Sequence, residues 1–359
     1  MKVLQLGKFY PILGGVEKVM WDLTEGLGLS GIDCDMLCAS ETPQVIHIND
    51  HSRCICVKSL FKAAATMISP AMVFYLRKHS SEYDIIHIHH PDPMAALALR
   101  LSGYKGRVIL HWHSDILKQK LLLRLYMPLQ KWLVKRAEKI VGTSPVYVNE
   151  SKYLQKAKEK ITFVAIGVEP LKPEPAVEQE FKTVFSLGRL VEYKGYKYLV
   201  EAAKYLPDNY RVVIGGEGPL HAELQAQIDA LGLGGKVSLL GRVPQERVPG
   251  LFGNCSVFCL SSIMKTEAFG IVQIEAMSCG KPVVATRIPG SGVSWVNEDG
   301  FSGLNVQPCS GKEIAQAVMQ ITADPETYRR YCINARMRYE QMFTKQVMID
   351  KCLNIYNKS

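Results

Sequence analysis

Residues 266–277 read Thr-Glu-Ala-Phe-Gly-Ile-Val-Gln-Ile-Glu-Ala-Met, a stretch that holds two carboxylates, a glycine and an apolar run. The small and apolar residues from Gly270 to Cys279 predict a short buried helix. The first amides of a helix lack partners within it and lie at the positive end of its dipole, so the amides of residues 270–272 can face an anion. Inside this apolar helix, Glu275 needs polar partners such as ribose hydroxyls. With Glu267 just outside the helix, the spacing indicates a ligand that contains a sugar, a diphosphate and a ribose.

Strands and helices are predicted to alternate along the chain around this stretch. An apolar strand at Val3–Leu6 precedes an amphipathic helix at Val16–Leu29, and a strand follows at Asp33–Cys38. After the segment at residues 167–180, the pattern restarts with a strand at Thr183–Leu187. This order is typical of the α/β class with doubly wound sheets. Further strands are predicted at residues 85–88, 108–111, 139–142, 161–164, 211–214, 237–240, 257–260 and 282–285, with helices at 65–79 and 117–136 among others.

The segment at residues 167–180, rich in proline and charge, is predicted to link two Rossmann-like domains, at residues 1–167 and 168–342. A chain of 359 residues with 47% hydrophobic residues suffices for two cores. Ligands of such domains bind beyond the carboxyl ends of the strands, and the motifs below follow predicted strand ends. We therefore expect the two domains to face a central cleft.

The formal charge of +9 favours anionic partners. No aromatic and basic motif supports nucleic acid as that partner. The chain contains no run of 18 apolar residues and begins without the apolar core of a signal peptide, so we expect a cytoplasmic protein without a membrane span. Its ten cysteines form no Cys-x-x-Cys pair, and we interpret them as buried thiols. A zinc site at Cys34, Cys38, Cys54 and Cys56 is the less favoured alternative, because their spacing matches no common zinc pattern.

Glu267-x7-Glu275, with Phe269-Gly270 inside it, resembles the signature of retaining GT-B glycosyltransferases of the family-4 group, also called glycosyl transferases group 1. Other motifs of that family recur in the same order over nearly the whole chain. They are Gly14-Gly15-Val16-Glu17, His111-Trp112-His113-Ser114-Asp115, Gly188-Arg189-Leu190 with Lys194-Gly195, and Gly215-Gly216-Glu217-Gly218-Pro219. The resemblance implies a GT-B fold with an acceptor-binding first domain and a nucleotide-sugar-binding second domain. It also implies that the last helix, residues 343–359, crosses back to the first domain.

The donor site is expected after the strand that ends at Gly188. Arg189 and Lys194 supply two cations there, and fixed cations can neutralise a leaving diphosphate without a metal ion. The resemblance implies that both bind the diphosphate and act in catalysis with Glu267. The predicted nucleotide-sugar-binding set is Gly15, Arg189, Lys194, Gly216, Glu267, Phe269, Gly270, Ile271, Val272 and Glu275.

The acceptor side is expected to include Gly14, Glu17, His113 and Asp115. We expect His111 and His113 to point to opposite faces of their strand, with His113 toward the ligand. The resemblance implies that His113 contacts the transferred sugar and is catalytic.

Two further patterns suggest a metal ion, and neither is the favoured interpretation. A metal cluster with His87, His89 and His90 is not expected, because these histidines end a different strand. Asp33-Cys34-Asp35 spells the Asp-x-Asp of metal-using transferases, but it begins a strand, so we expect a structural role, no metal and no cofactor.

Taken together, the motifs predict a retaining hexosyltransferase, with GDP-mannose as the preferred donor and a glycan or lipid-linked glycan as acceptor in bacterial surface polysaccharide assembly. The alternatives are a UDP-sugar donor carrying glucose, galactose or an N-acetylhexosamine, a nucleotide-sugar 2-epimerase, and a non-catalytic nucleotide-sugar-binding subunit. Residues 118–139 mix basic and apolar side chains around Trp132. They fit either peripheral contact with an anionic membrane at the inner face of the plasma membrane, or a domain helix with a solvated basic face.

Overall fold

The computed structural model describes residues 1–12, 14–63, 66–116, 120–173 and 180–358. The chain divides into two units. The first unit comprises Met1–Gly167 with Lys345–Ser359, and the second comprises Val168–Thr344. The start of the helix predicted from residue 117, and part of the predicted linker, lie outside the described residues.

The first unit is a doubly wound sheet with helices between its strands. Its strands are β1 (Lys2–Tyr10), β2 (Asp33–Ser40), β3 (Gln44–Asn49), β4 (Ser52–Lys58), β5 (Phe61–Ala63), β6 (Thr66–Ile68), β7 (Ile85–His90), β8 (Arg107–Trp112), β9 (Lys139–Gly142) and β10 (Ile161–Phe163). Its helices up to residue 167 are α1 (Gly15–Leu29), α2 (Pro70–His79), α3 (Pro93–Ser102), α4 (Lys120–Arg136) and α5 (Pro145–Glu150). The main sheet has the order β10-β9-β8-β7-β1-β2-β4-β3 and is parallel except at its edge strand β3, while β5 and β6 pair separately.

The second unit repeats this plan with a smaller, wholly parallel sheet. Its strands are β11 (Lys182–Leu187), β12 (Tyr210–Gly215), β13 (Val237–Leu239), β14 (Val257–Leu260), β15 (Val283–Thr286) and β16 (Gly303–Val306). Its helices are α6 (Tyr196–Ala202), α7 (His221–Ala230), α8 (Val248–Asn254), α9 (Ile271–Ser278), α10 (Val293–Val296), α11 (Gly311–Ile321) and α12 (Pro325–Met342). The strand order is β13-β12-β11-β14-β15-β16.

The last helix, α13 (Lys345–Asn357), belongs to the first unit and packs on α1. A glycine at position 26 of α1 makes the contact possible, because a Cβ there would lie 2.0 Å from Cδ1 of Ile349. At its start, Lys345 pairs with Glu25 and lies 3.7 Å from Asp22. At its other end, the Tyr356 side chain is buried against the sheet. Steric fit and buried ion pairs therefore hold the helix in the first unit.

The predicted α/β class and the two Rossmann-like sheets are confirmed. Central strands such as β7 and β14 are buried along their whole length, as expected of parallel strands covered by helices on both faces. The helix predicted over 65–79 is partly wrong, because residues 66–68 form β6 and α2 begins at Pro70, a residue suited to a first helical position. Edge strand β3 was missed because its largely exposed residues give no buried alternation.

Candidate functional site

The second unit has its topological switch point at β11 and β14. The chain winds from β11 toward β12 on one side and from β14 toward β15 on the other, so the loops that follow β11 and β14 flank a crevice at the carboxyl edge. Ligands of doubly wound sheets bind at such a crevice. The loop after β11 carries Arg189 and Lys194, and the loop after β14 carries Glu267. The topology thus gathers the predicted catalytic residues of this unit at one edge.

Lys194 and Glu267 form a tight ion pair. The Lys194 Nζ lies 2.6 Å from Oε2 of Glu267, and the two side chains are only 11% and 12% exposed. The Ser262 hydroxyl donates to the same Oε2 at 2.9 Å. Hydrogen bonds to ionised groups are stronger than neutral ones and hold their partners more rigidly. Both contacts fall on Oε2, so within the described part of the chain Oε1 can accept from another donor.

The main chain fixes this pair in place. Gly195 has φ +65, and a Cβ there would lie 2.2 Å from the carbonyl oxygen of Ser261. The Ser261 hydroxyl in turn donates to the carbonyl oxygen of Lys194 at 2.9 Å. The turn after β11 is therefore packed directly against the loop after β14, a long-range contact that only glycine permits at position 195.

Arg189 stands apart from the ion pair and is exposed to solvent. The loop that carries it is bound to the loop after β12, because the Leu190 amide donates to the Glu217 carbonyl at 2.8 Å. At Gly216, φ is +134 and a Cβ would lie 2.0 Å from the carbonyl oxygen of Gly188. Gly216 thus has a packing reason to be glycine, and its contact with a ligand stays a prediction.

The predicted helix after Gly270 is present as α9. Gly270 adopts the left-handed region at φ +74, and a Cβ would lie 2.6 Å from Cδ2 of Leu260. Ile271 and Val272 are half-buried at the first turn, where backbone amides have no intrahelical partners. The start of α9 therefore presents amide donors at the same sheet edge as the ion pair.

The two remaining residues of the donor prediction lie on either side of that helix start. The Phe269 side chain is buried, with its ring edge-on to Phe343 at 6.0 Å, so only its backbone can reach a ligand. Glu275 is half-buried in α9. Its predicted contact with ribose is untested.

The first unit has its switch point at β1 and β7, and histidines gather beside it. Strands β7 and β8 are neighbours, with His89 opposite His111 in the register. The rings of His111 and His113 stack at 4.2 Å, and those of His89 and His113 at 5.1 Å. We call His87, His89, His111 and His113 the histidine cluster. The prediction that His111 and His113 face opposite ways is wrong, because residues two apart on a strand share a face.

Burial lowers the pKa of every member of the histidine cluster, and for His111 to about 3. The four imidazoles are therefore neutral at physiological pH. One ring nitrogen each from His87, His89 and His111 lies within 4.8 Å of the others, a separation at which a metal could be held. The rings are nearly parallel, however, with planes 14° to 25° apart, so their lone pairs do not converge on one point. This geometry does not suit coordination of one metal ion, although both ring nitrogens of His111 and Nε2 of His87 have no hydrogen-bond partner among the described residues.

Three of the four cysteines considered for zinc come together on the same unit. The Sγ atoms of Cys38, Cys54 and Cys56 lie 3.6 to 3.8 Å apart within a buried cluster that includes Met20 and Met36. These are also the separations of close-packed thiols in a core. Cys34 lies elsewhere, with its Sγ 3.9 Å from Nε2 of Gln5.

The predicted acceptor residues are held by contacts within the first unit. Glu17 is buried, and its carboxylate lies over Gly14, where a Cβ would be 2.4 Å from Oε2. A carboxylate in the first turn of a helix interacts favourably with its dipole. Gly14 and Gly15 are exposed at the start of α1. The first turn of α1 therefore contains a buried carboxylate, Glu17, next to the two exposed glycines.

Asp115 anchors the loop after β8. Its Oδ1 accepts hydrogen bonds from Trp112 at 2.9 Å and from Ser151 at 2.8 Å, and its amide donates to the Tyr147 hydroxyl. These contacts describe a structural role, and its acceptor contact stays a prediction. Asp35 of the Asp-x-Asp pattern is likewise structural, because it pairs with Arg53 and accepts from the Tyr83 hydroxyl.

Helix α4 covers most of the stretch considered for membrane contact. Between this helix and residues 152–160 lies a cavity of about 640 Å³, lined by Lys131, Lys135, Lys152, Lys156 and Lys160 among others. Within the described ranges, every helix is too short or too polar to span a lipid bilayer. Contact with an anionic membrane stays a prediction.

Sequence reasoning missed several residues that the structure brings to these sites. Gln5 and Tyr356 reach the histidine cluster, and Ser262 reaches the ion pair. A glutamine within the apolar strand Val3–Leu6 was a usable signal, because a buried amide needs polar partners. The contribution of Tyr356 depends on the position of α13 and has no local signal.

Two family models together match most of the chain. The model described as glycosyl transferases group 1 matches residues 168–338, and that described as glycosyltransferase family 4 matches residues 13–170. Among curated relatives, O-antigen chain mannosyltransferase C of Escherichia coli is 33% identical over 373 residues, which covers 99% of this chain and 98% of the relative. D-rhamnosyltransferase WbpZ of Pseudomonas aeruginosa is also 33% identical, over 96% of this chain and 92% of the relative.

Solved structures with the same fold include sucrose-phosphate synthase from Thermosynechococcus elongatus, with a TM-score of 0.80, 21% identity, and coverage of 100% of this chain and 99% of that one. HepE from Anabaena in complex with UDP gives a TM-score of 0.79 at 19% identity, with both chains fully covered. At these identities the two structures support the GT-B fold alone.

Proposed function

We propose that this chain, which belongs to the glycosyl transferases group 1 family, transfers a mannose from GDP-mannose to a glycan or lipid-linked glycan, with retention of configuration. Glycosyl transfer itself follows from the family. The observation that carries the proposal is the Lys194–Glu267 ion pair at the switch point of the second unit, beside the start of α9. We further propose a place in O-antigen or related surface polysaccharide assembly, on the similarity to the two bacterial relatives.

Mannose is favoured because of what those two relatives have in common. One is named a mannosyltransferase and the other a D-rhamnosyltransferase, and they are equally similar to this chain. D-Rhamnose is 6-deoxymannose, so the sugars share the arrangement of hydroxyls on C2 to C4. A site that recognises this arrangement is the simplest common property, and Glu267 Oε1 is suited to accept a hydrogen bond from one of these hydroxyls.

In the proposed reaction, the second unit stabilises the leaving diphosphate. Lys194 contributes the positive charge of the ion pair, Arg189 can bind two phosphate oxygens, and the first amides of α9 donate hydrogen bonds. Preorganised donors and cations of this kind lower the barrier, because they cost no reorganisation when charge develops. We therefore propose that transfer needs no divalent metal. Glu275 is proposed to bind the ribose.

The first unit is proposed to bind the acceptor and to contact the transferred sugar through His113. Departure of the diphosphate leaves an oxocarbenium-like sugar, and the acceptor hydroxyl attacks from the face that the diphosphate vacates. Bond breaking and bond formation on one face give retention. Peripheral contact with an anionic membrane would suit a lipid-linked acceptor.

A donor screen tests this proposal. Thermal unfolding is measured with GDP, GDP-mannose, UDP, UDP-glucose, UDP-galactose and UDP-N-acetylglucosamine, with and without EDTA. A ligand that binds only the folded state stabilises it by about 2.7 kcal/mol at a hundredfold excess over its Kd. We expect stabilisation by the GDP ligands alone, unchanged by EDTA, and its loss in the Arg189→Met variant. Stabilisation by UDP ligands alone would contradict the preferred donor, and loss on EDTA would contradict the metal-free mechanism.

Product analysis separates the alternative functions. Turnover of the nucleotide-sugar without any acceptor would favour a 2-epimerase. If the Glu267→Ala variant still supported full sugar transfer together with a partner transferase, a non-catalytic binding subunit would be favoured.

A further inference from the structure

A continuous chain of hydrogen bonds runs through the first unit from α13 to His113. The Gln5 amide Nε2 donates to the Tyr356 hydroxyl at 3.2 Å. On its other side, Oε1 of Gln5 lies 2.8 Å from Nε2 of His89. Nδ1 of His89 then lies 2.8 Å from Nε2 of His113. All four side chains are at least 95% buried, so water does not compete for these bonds. We call Gln5, His89 and His113 the relay.

The chemistry of the groups sets the direction of the relay. The Oε1 of a carboxamide only accepts, so the proton of His89 resides on Nε2. A neutral imidazole carries one ring proton, so Nδ1 of His89 must accept, and the proton of His113 resides on its own Nε2. Burial lowers the pKa of both rings, which keeps them neutral. The remaining nitrogen, Nδ1 of His113, then carries a lone pair and can only accept a hydrogen bond.

That nitrogen is buried and finds no hydrogen-bond partner among the residues that the structure describes. A buried polar atom without a partner is costly and is uncommon in folded proteins. Ring nitrogens of His87, His90 and His111 are also buried without a described partner, and Nδ1 of His113 differs from them because it ends a fully bonded chain that fixes it as an acceptor.

We propose that Gln5 and His89 are positioning residues that hold His113 in its Nε2–H tautomer, with Nδ1 offered as an acceptor to a hydroxyl group of the ligand. The inference rests on the proposed function, in that the hydroxyl belongs to the transferred sugar or to its acceptor. It adds a direction to that contact: His113 accepts the hydrogen bond and does not donate it. Tyr356, which lies on α13, holds the carboxamide of Gln5 by accepting a hydrogen bond from its Nε2.

The reverse direction needs the carboxamide of Gln5 turned by half a rotation. In the orientation seen here, both amide hydrogens have an acceptor, because Nε2 also faces the sulfur of Cys34 at 3.9 Å. The Tyr356 hydroxyl accepts from Gln5, and its own hydrogen can pass to Nδ1 of His87, which it contacts. The turned orientation would point Nε2 of Gln5 at Nε2 of His89, reverse both ring protons and put a proton on Nδ1 of His113, which is the outcome that the spectra below would detect.

Nitrogen-15 spectra of labelled histidines test the proposal in the full-length protein without substrate. A protonated ring nitrogen and a lone-pair nitrogen differ widely in chemical shift, and a His113→Asn sample assigns the signals. We expect wild-type protein to show a protonated Nε2 and a lone-pair Nδ1 at His113. In Gln5→Met, which keeps the side-chain length but removes the acceptor, we expect a mixture of both tautomers.

Kinetics provide the second readout. Loss of the hydrogen bond that orients a metal-ligating histidine lowers metal affinity or activity roughly 10- to 100-fold, and we take this range as the guide for a positioned histidine. For Gln5→Met we expect a fall in kcat of about that size, with the KM for the donor nearly unchanged. Gln130→Met, a change at another buried glutamine of the first unit, is the matched control: its side chain contacts His90, so it should leave the His113 signals and kcat as in wild type.

Two results would overturn the inference: a protonated Nδ1 at His113 in the wild-type protein, or an unaltered His113 tautomer in Gln5→Met. Because the spectra need no substrate, they stand independently of the reaction. If the tautomers behave as expected but no transferase activity is found with any donor, the proposed function fails and the relay stands.

Discussion

Each unit has a doubly wound sheet with a switch point at its carboxyl edge. The residues at that edge are of different chemical kinds in the two units. In the second unit, glycines bring main chains into contact and hold one ion pair and a helix start. In the first, neutral imidazoles and a carboxamide form a buried network. Cations and amides suit a diphosphate, whereas neutral acceptors suit hydroxyl groups. A common architecture therefore supports two recognition chemistries, and the difference lies in the side chains at the strand ends.

The comparison predicts that acid destabilises the first unit more than the second. Five histidines of the first unit have a pKa lowered by burial, while the second unit contains one histidine, His221, which is exposed. The unfolded chain has the higher histidine pKa, so it takes up protons first below about pH 6.5, and stability is complete only above that value. Between about pH 7.5 and about pH 5.5, each such histidine lowers the free energy of unfolding by about 1.4 kcal/mol, or roughly 7 kcal/mol for the five together.

Urea unfolding followed by tryptophan fluorescence measures this loss, since three of the four tryptophans belong to the first unit. His111→Leu should reduce the difference between the two pH values by about 1.4 kcal/mol. His221→Leu is the control and should leave the difference unchanged. Equal acid sensitivity of His111→Leu and wild type would show that the cluster is not held neutral.

The second prediction concerns the ion pair, which should serve stability and catalysis separately. Lys194→Met leaves the Glu267 carboxylate nearly buried without its cation, so we expect a stability loss of about 3 kcal/mol and a fall in kcat of roughly 10²- to 10³-fold. The double variant Lys194→Met, Glu267→Gln should regain most of the stability but none of the activity. Denaturant unfolding and initial rates of transfer measure the two effects.

Arg189→Met provides the matched comparison, because this side chain is exposed and lies outside the ion pair. We expect lower activity with an unchanged unfolding midpoint. If the double variant recovered full activity, Lys194 would serve only to neutralise Glu267, and the proposed diphosphate site would lose its main cation.

The third and smallest effect tests the main-chain packing of the second unit. Gly216→Ala places a Cβ against the carbonyl of Gly188 at a positive φ, and we expect a loss of about 2 kcal/mol. Gly234→Ala places its Cβ in open space and should change stability by less than about 0.5 kcal/mol. Thermal unfolding of the two variants, each with and without GDP, separates loop packing from ligand contact. Unchanged stability in Gly216→Ala would show that the loop after β12 can move to accept the added methyl group at little cost in free energy.

Much of the structure at the switch point of the second unit was predictable because its signals are local. The acidic residues around Phe269-Gly270, the apolar run that follows and the glycine at the helix start all lie within one short stretch, and α9 begins where that stretch predicts. Strands with continuous apolar runs were predictable for the same reason. Strands β5 and β6 have only three residues each, which is too short to give such a pattern, so a helix was predicted there instead of β6.

The histidine cluster shows where prediction from the pattern failed. His87, His89, His111 and His113 were assigned to two separate strand ends, because a sequence shows where strands occur but not which strands pair. The register that puts His89 opposite His111 is a long-range contact. The side chain of Gln5 was overlooked for the same reason, since its partners come from β7 and from α13.

The amino-acid sequence alone determined the fold class, the repetition of one α/β plan in two halves and the helix after Gly270, because periodicity and spacing are properties of neighbouring residues. The tertiary structure decided which distant groups meet: Lys194 with Glu267, the loop of Gly188 with that of Gly216, and Gln5 with His89 and Tyr356. Periodicity tells which face a side chain occupies. Its partner on that face depends on strand order and helix docking, which burial and packing settle only once the whole chain has folded.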